Sequence, residues 1–281
     1  MRVPHDRPPQ APVGSGQVLV VGSVNPGLSR TLPRLPRGAE QIRTTRHLQA
    51  GGDKGANQAL VARRPSADAT ATLLASVGGD AEHALAGLAA GVGPGAVIGH
   101  DHAATGTVVL LIAPDGNRIV VDAGAGDLPQ PAHVRALAAD SPPPAVVTDH
   151  EVPAPVVSAT PRTCAGRARV LLSPSPARAL RPEPLTLVVL LVLNKGELAG
   201  LLALDPAPAT PGAVAAVLER SGLGDSLASL SSGGVVVLVQ GATTDVPAFR
   251  VDAIDTVGAG DALLGPLASS LAGGLAVHPA A

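Results

Sequence analysis

The feature that most narrows the fold is a recurring alternation. Short apolar runs end at a glycine or a polar turn, and helix-like stretches follow. Residues 17–22 (QVLVVG), 70–77, 145–148, 169–172, 187–193 and 235–239 read as strands. Residues 55–64 have helical spacing: Ala56, Ala59, Leu60 and Ala62 share an apolar side, and Arg63 and Arg64 suit the last turn. Asp80 is expected to cap a helix running through Ala90, and residues 211–220 read as another helix. Strands alternating with helices imply βα units and a mostly parallel sheet. Pro114-Asp115-Gly116-Asn117, set between β-rich residues 107–113 and 118–122, reads as a hairpin turn. The apolar run 185–193 (LTLVVLLVL) fits a buried strand or a buried helix, and it is too short for a bilayer span of about 20 residues.

Composition limits the function classes. The chain has 281 residues, 46% of them hydrophobic and 15% charged, which is the reverse of a disordered signature despite 33 Gly and 28 Pro. Twenty Lys and Arg against 22 Asp and Glu argue against nucleic acid or an anionic membrane surface as the main partner. Phe249 is the single aromatic residue, with no Tyr and no Trp, so the core must be built from Val, Leu, Ile and Ala. The lone cysteine, Cys164, excludes an internal disulfide and fits a reducing, cytoplasmic setting. Residues 1–16 lack an apolar signal region and are expected to form a disordered tail ahead of one domain over 17–281.

The chemistry concentrates near the C-terminus. Residues 255–261 read DTVGAGD and lead into an apolar, helix-like run. A Gly-rich turn that opens a helix exposes backbone N–H groups at the positive end of the helix dipole. That suits negative charge developing on a transferring phosphoryl group. An Asp in the first helical turn can then take the proton of an attacking hydroxyl. An isolated GAGD is equally a capped helix start, but further motifs agree with it in order. These are GSVN at 22–25, GGDKGANQA at 51–59, GGD at 78–80, ATG at 104–106, SPSPAR at 173–178 and NKGE at 194–197.

Together these motifs resemble the ribokinase/phosphofructokinase-B family of carbohydrate kinases, over about residues 17–265. The resemblance implies a three-layer α/β/α sandwich with a Rossmann-like central sheet and a small β-sheet lid, drawn from about 28–50 and 105–122. It implies ATP-dependent phosphorylation of a sugar hydroxymethyl group, D-ribose foremost, with Mg²⁺ and K⁺. Asp261 matches the catalytic base, and Gly258, Ala259 and Gly260 match the anion hole. Asn25, Gly51, Gly52, Asn57 and Glu151 match sugar-binding positions. Asn194, Gly241 and Gly260 fall on the ATP side. Glu197 matches a Mg²⁺ position acting through water, and Asp255 and Val257 match monovalent-cation ligands. The partners implied are a small sugar and ATP, with no nucleic acid and no membrane, and pairing of two copies through the lid.

The chain also departs from that pattern. Gly27 stands where the family has a sugar-binding Asp, and Asp53 stands beside or in place of the second glycine of Gly-Gly. Residues 241–249 leave little room for a Gly-x-x-Gly turn and a further strand, so the ATP side is expected to lack about a hairpin. Only 20 residues follow Asp261, so the C-terminal part of the nucleotide site is expected to be cut short. These departures favour, as the alternative, an impaired or inactive sugar- or nucleotide-binding relative. His100-Asp101-His102 and the arginines Arg30, Arg34, Arg37 and Arg43 read as solvated surface, and Cys164 as a small buried hydrophobe.

Overall fold

Every residue from Val18 to Val21 is buried, and successive side chains leave a strand on opposite faces. A strand apolar on both faces needs cover on both sides, and the chain supplies it with helices. The computed structural model describes residues 17–51, 53–65, 69–88, 92, 96–139, 143–179, 185–252 and 256–275. The tail expected over 1–16, Ala90, Gly52 and Asp255 lie outside the described residues.

In chain order the strands are β1 (Gln17–Val21), β2 (Pro26–Thr31), β3 (Arg46–Gly51), β4 (Thr70–Gly78), β5 (Val97–His100), β6 (Thr105–Ala113) and β7 (Gly116–Gly124). They continue with β8 (Ala145–Asp149), β9 (Arg169–Ser173), β10 (Leu190–Asn194), β11 (Ser226–Ser229), β12 (Val235–Val239) and β13 (Ala242–Val246). The helices are α1 (Lys54–Ala62), α2 (Glu82–Ala86), α3 (Pro131–Ala138), α4 (Ala154–Cys164), α5 (Lys195–Leu202), α6 (Pro211–Ser221) and α7 (Ala259–Ala272).

The main sheet has nine strands in the order β13-β12-β11-β10-β9-β8-β1-β4-β5. Its strands run parallel from β5 to β11, and the β12–β13 hairpin closes one edge antiparallel. Val18, Val20, Leu73 and Leu171 face α1 and α7, packing with Ala56, Ala59, Leu264 and Ala268. Leu19, Val21, Val146 and Val170 face the other way, with Val134 of α3 and Val156 of α4. Leu191 and Leu193 extend that second layer to Leu198, Val214 and Leu218 of α5 and α6. The result is the three-layer α/β/α sandwich that the alternation implies, with an aliphatic core. A second sheet of four strands, β3-β2-β6-β7, comes from the two segments expected to form the lid.

Several local expectations change. The run 185–193 is strand only from Leu190 onward, because Val188 N–H folds back onto the carbonyl of Leu185. Asp80 does not cap α2. Its Oδ1 instead accepts from the Thr105 amide at 2.7 Å, while Thr105 Oγ1 accepts from Gly78 N–H at 3.0 Å. The GGD and ATG motifs are therefore two halves of one latch between the main sheet and the small one. The ATP-side edge does not lack a hairpin: β12 and β13 pair from Val235↔Val246 to Val239↔Ala242.

Candidate active site

Close backbone approach builds the floor of the site. A Cβ on Gly55 would stand 2.6 Å from both N and O of Ser23, and one on Gly22 would stand 2.8 Å from Gly55 Cα. Only glycine lets the end of β1 meet the start of α1 this closely. The Ala56 amide then bonds the Ser23 carbonyl at 3.0 Å. GSVN and KGANQA are thereby one structural unit.

The helix α7 brings in Asp261. Gly258 sits at φ +74, the left-handed conformation that opens the helix, and Ala259 and Gly260 form its exposed first turn. The Ala259 amide makes a long 3.3 Å bond to Thr256 O, and first-turn amides of a helix have no intrahelical acceptor. Asp261 lies just inside that turn and is buried. Its Oδ1 accepts from Gln58 Nε2 at 2.9 Å and lies 3.9 Å from Lys54 Nζ. Its Oδ2 has only a loose 3.4 Å contact from Asn57 Nδ2. Lys54, Asn57 and Gln58 stand at i, i+3 and i+4 on α1, so one helix face addresses one carboxylate. Lys54 and Gln58 carry no role in the sequence reading, although that spacing was available to reveal them.

Around Lys54 gather Asp53, Asp149, Glu151 and Asp261. Glu151 accepts from the Ser23 hydroxyl, and Asn25 Nδ2 donates to Asp53 Oδ2. Asp149 Oδ1 accepts from the Glu151 amide at 2.9 Å. Burial pushes the Glu151 carboxyl up to about 9, helped by the charges of Asp149 and Asp53. Burial likewise pushes Asp149 up to about 7, against the opposing charge of Lys54. Asp261 is also raised by burial, against Lys54 and the Gln58 and Asn57 hydrogen bonds. Burial pulls Lys54 down, but the charges of Asp261, Glu151, Asp149 and Glu197 outweigh it and hold the ammonium above its ordinary value. One lysine thus serves several carboxylates that cannot all ionise cheaply.

The other expected positions divide. Asn194 and Glu197 form a reciprocal cap on α5. Asn194 Oδ1 accepts from the Gly196 and Glu197 amides at 2.8 and 2.9 Å, and Glu197 Oε2 accepts from Asn194 N–H at 2.8 Å. The cap sits at the C-terminal end of β10, and the Glu197 charge reaches Lys54. Gly51 ends β3 against α2, where a Cβ would meet His83 O at 2.7 Å, which gives it a packing reason. Val257 lies in the turn before α7.

Gly241 is not brought to this end of the sheet. Asn194 pairs with Ser229, and Ser229 with Val235, so the antiparallel β12 runs away from the site and Gly241 lies at its far end. The turn that does sit at the site end is 230–234, between β11 and β12, with Ser231 at φ +55. Beside it, Ser232, Gly233 and residues 247–252 line an open groove of about 490 Å³. A glycine at 231 would have signalled this turn; serine concealed it.

Comparison with known proteins agrees with this arrangement. Residues 15–281 match the family described as pfkB family carbohydrate kinase. The chain belongs to the pfkB family of carbohydrate kinases. The class is that of ATP-dependent sugar kinases, as the motifs imply. A ribokinase of Mus musculus is 32% identical over 289 residues, covering 91% of this chain and 81% of that protein. A ribokinase of Staphylococcus aureus (strain COL) is 29% identical over 269 residues, covering 92% of this chain and 86% of that one. The crystal structure of a Cryptococcus neoformans ribokinase in complex with ADP superposes with a TM-score of 0.78 at 25% identity, covering 93% of this chain and 88% of that one. An Arabidopsis thaliana ribokinase complexed with ribose and ATP shares the fold, with a TM-score of 0.77 at 23% identity, covering 95% of this chain and 88% of that one.

Proposed function

We propose that this chain transfers the γ-phosphate of ATP to the hydroxymethyl group of a sugar, D-ribose giving ribose 5-phosphate. The observation that carries the proposal is Asp261: a buried carboxylate with one loosely held oxygen, in the first turn of a helix opened by Gly258. In this reading the sugar hydroxyl gives its proton to Asp261 Oδ2 and its oxygen bonds the γ-phosphorus. The bond from that phosphorus to the β,γ-bridging oxygen breaks, and ADP leaves with the electron pair. Burial raises the basicity of Asp261 and so favours the proton transfer. The first-turn amides of Ala259 and Gly260 face the charge gathering on the transferring group. Asn25, Asn57 and Glu151 hold the sugar in this assignment, with Gly51 and Gly52 as backbone supports.

Mg²⁺ neutralises charge on the β- and γ-phosphates when bound. Glu197 fits a role through water: its Oε2 is used by the cap, and among the described residues no group of three or more His, Cys, Asp or Glu gathers to hold an ion directly. Asn194, in the same cap, faces the nucleotide side. A monovalent cation at Asp255 and the Val257 carbonyl remains part of the proposal, although Asp255 lies outside the described residues.

Two further points belong to the reading. Leu48, Ile119, Val120 and Val121 are exposed on the small sheet, which supports pairing of two copies through it. The lone cysteine is in keeping with the proposal of a cytoplasmic protein. Among the described residues no helix is long and apolar enough to cross a membrane. The test is ADP release from purified protein with MgATP, K⁺ and ribose. Ribose-dependent release that Asp261→Asn abolishes supports the assignment, and release that survives the substitution refutes it. Binding of MgATP without turnover on any sugar would favour the non-catalytic relative instead.

A further inference from the structure

The strand β8 turns alternate side chains to opposite sides of the sheet. Val147 packs toward α1 and α7, and Val146 toward α3 and α4. Asp149 follows Val147 to the candidate site, where a Cβ on Gly22 would meet its Oδ2 at 2.9 Å. Thr148 follows Val146 to the other side, level with Leu172 of β9. There Thr148 and Leu172 line a cavity of about 90 Å³, walled further by α4 and by Leu185 and Val188.

Two polar groups at this cavity have bonding capacity to spare. Thr148 is 1% exposed, and its hydroxyl has no hydrogen-bond partner among the described residues. Thr160, buried on the neighbouring helix, returns its hydroxyl to the Val156 carbonyl at 2.9 Å. A buried hydroxyl left unpaired is costly, and the cavity is the open space beside this one. Arg178 lines the same cavity and is half-buried. Its Nη2 donates to Val152 O at 2.8 Å, which leaves most of the guanidinium donors over. The charges of Asp127 and Asp149 reach Arg178, with no ion pair to it among the described residues. His150 also lines the cavity, with Nδ1 against the Pro176 carbonyl at 3.0 Å. Burial pulls that imidazole down to about 4, so it is neutral at pH 7.

The remaining wall is apolar, with Val157 joining Leu172, Leu185 and Val188. An apolar lining with a few convergent polar groups is the make-up of a small-molecule site. A charged donor beside a free hydroxyl calls for an anionic group, and the apolar wall for an alkyl one. The volume is below the roughly 150 Å³ that holds a benzene ring, which limits the ligand to about three carbons.

We propose that this cavity is a binding site for a short monocarboxylate, with the carboxylate on Arg178 and the Thr148 hydroxyl and the alkyl part against Leu172, Leu185 and Val188. The site lies across the sheet from Asp261 and does not depend on the sugar-kinase reading. Thr148 and His150 alternate along the chain with Asp149 and Glu151, so its occupant and the candidate site share one short segment.

The test is calorimetric titration with propionate, and with propionamide as its neutral twin, on the unsubstituted protein, Thr148→Val and Arg178→Gln. Propionate should saturate with a Kd on the order of 1 mM, and propionamide should bind about 10-fold more weakly. Thr148→Val keeps the shape and removes the stranded hydroxyl. It should raise the Kd for propionate about 5-fold or more while melting no lower than the unsubstituted protein. A threonine with a merely structural role would not give that pair of results. Arg178→Gln should weaken binding about 10-fold. A thermal melt checks its fold, and Thr148→Val decides alone if Arg178→Gln does not fold. No saturable binding of propionate, equal binding of propionamide, or undiminished binding in Thr148→Val would each overturn the proposal.

Discussion

The two ends of the cleft are built on opposite plans. At the end proposed for the sugar β1, α1 and α7 touch backbone to backbone; Lys54, Asn57 and Gln58 converge on Asp261, and Asn25 is tied to Asp53, before any ligand arrives. At the end proposed for the nucleotide the groove beside β11–β13 is open, and Phe249 and Val251 are 94% and 76% exposed. In the proposed reaction, preorganisation is thus concentrated where the proton moves and the phosphoryl group is aimed. In the same proposal the other end has only to hold a nucleotide.

The comparison can be broken most severely at Asp261. Asp261→Asn keeps the shape but removes the base, and kcat should fall by about 10²- to 10⁴-fold with the KM for sugar little changed. Steady-state kinetics checks it. An equal loss in KM would mean that the residue positions sugar rather than accepting the proton.

Glycine substitution contrasts the two ends directly. Gly55→Ala forces a Cβ to within 2.6 Å of Ser23, so the melting midpoint should drop by the equivalent of about 1–3 kcal/mol and sugar affinity should fall with it. Gly241→Ala, at φ +81 with open space around it, should cost about 1 kcal/mol and leave both KM values unchanged. Denaturant titration of the two variants side by side ranks them. A larger effect at Gly241 would reverse the contrast.

The cap on α5 tests the nucleotide end alone. Asn194→Ala should cost about 1 kcal/mol in denaturant titration, because the Gly196 and Glu197 amides lose their side-chain acceptor, and raise the Mg²⁺ concentration needed for half-maximal rate, because the loosened first turn carries Glu197. Ribose affinity should not move.

The gentlest test is pH. The Glu151 and Asp149 carboxyls are raised to about 9 and about 7, so the folded state binds protons that the unfolded chain releases near pH 4. Wherever the folded state holds more protons, stability falls as pH rises. Their contribution is therefore complete below about pH 4 and fades as pH climbs through 7 and then 9. Thermal melts from pH 5 to 9 should show a decline that Glu151→Gln flattens at the alkaline end.

Much of this was legible in the chain. Val235–Val239 is bounded by its pattern alone, because the apolar run VVVLV sits between turn residues. The Pro114–Asp115 turn followed from φ preferences, and its hairpin closes at Ala113↔Gly116. Asp261 was legible because a glycine turn and a following apolar helix announce each other. What escaped depended on partners distant in sequence. Arg46–Gly51 has no β pattern and is a strand only because β2 lies beside it. Its sequence position makes Asp80 a cap, but the Thr105 amide, 25 residues on, competes for its carboxylate and wins. Residue type and the family resemblance point Gly241 to the ATP side, whereas strand direction carries it to the far end of the sheet.

The single Phe ring, on Phe249, lies in the lining of the groove proposed for the nucleotide and almost wholly in water. With no Trp and no Tyr, the protein is nearly silent in the near ultraviolet and has no intrinsic fluorescence to speak of. An adenine ring absorbing at 260 nm would therefore be seen against a dark background. A Phe249→Trp substitution would place one lamp in the molecule, at the edge where nucleotide is proposed to enter.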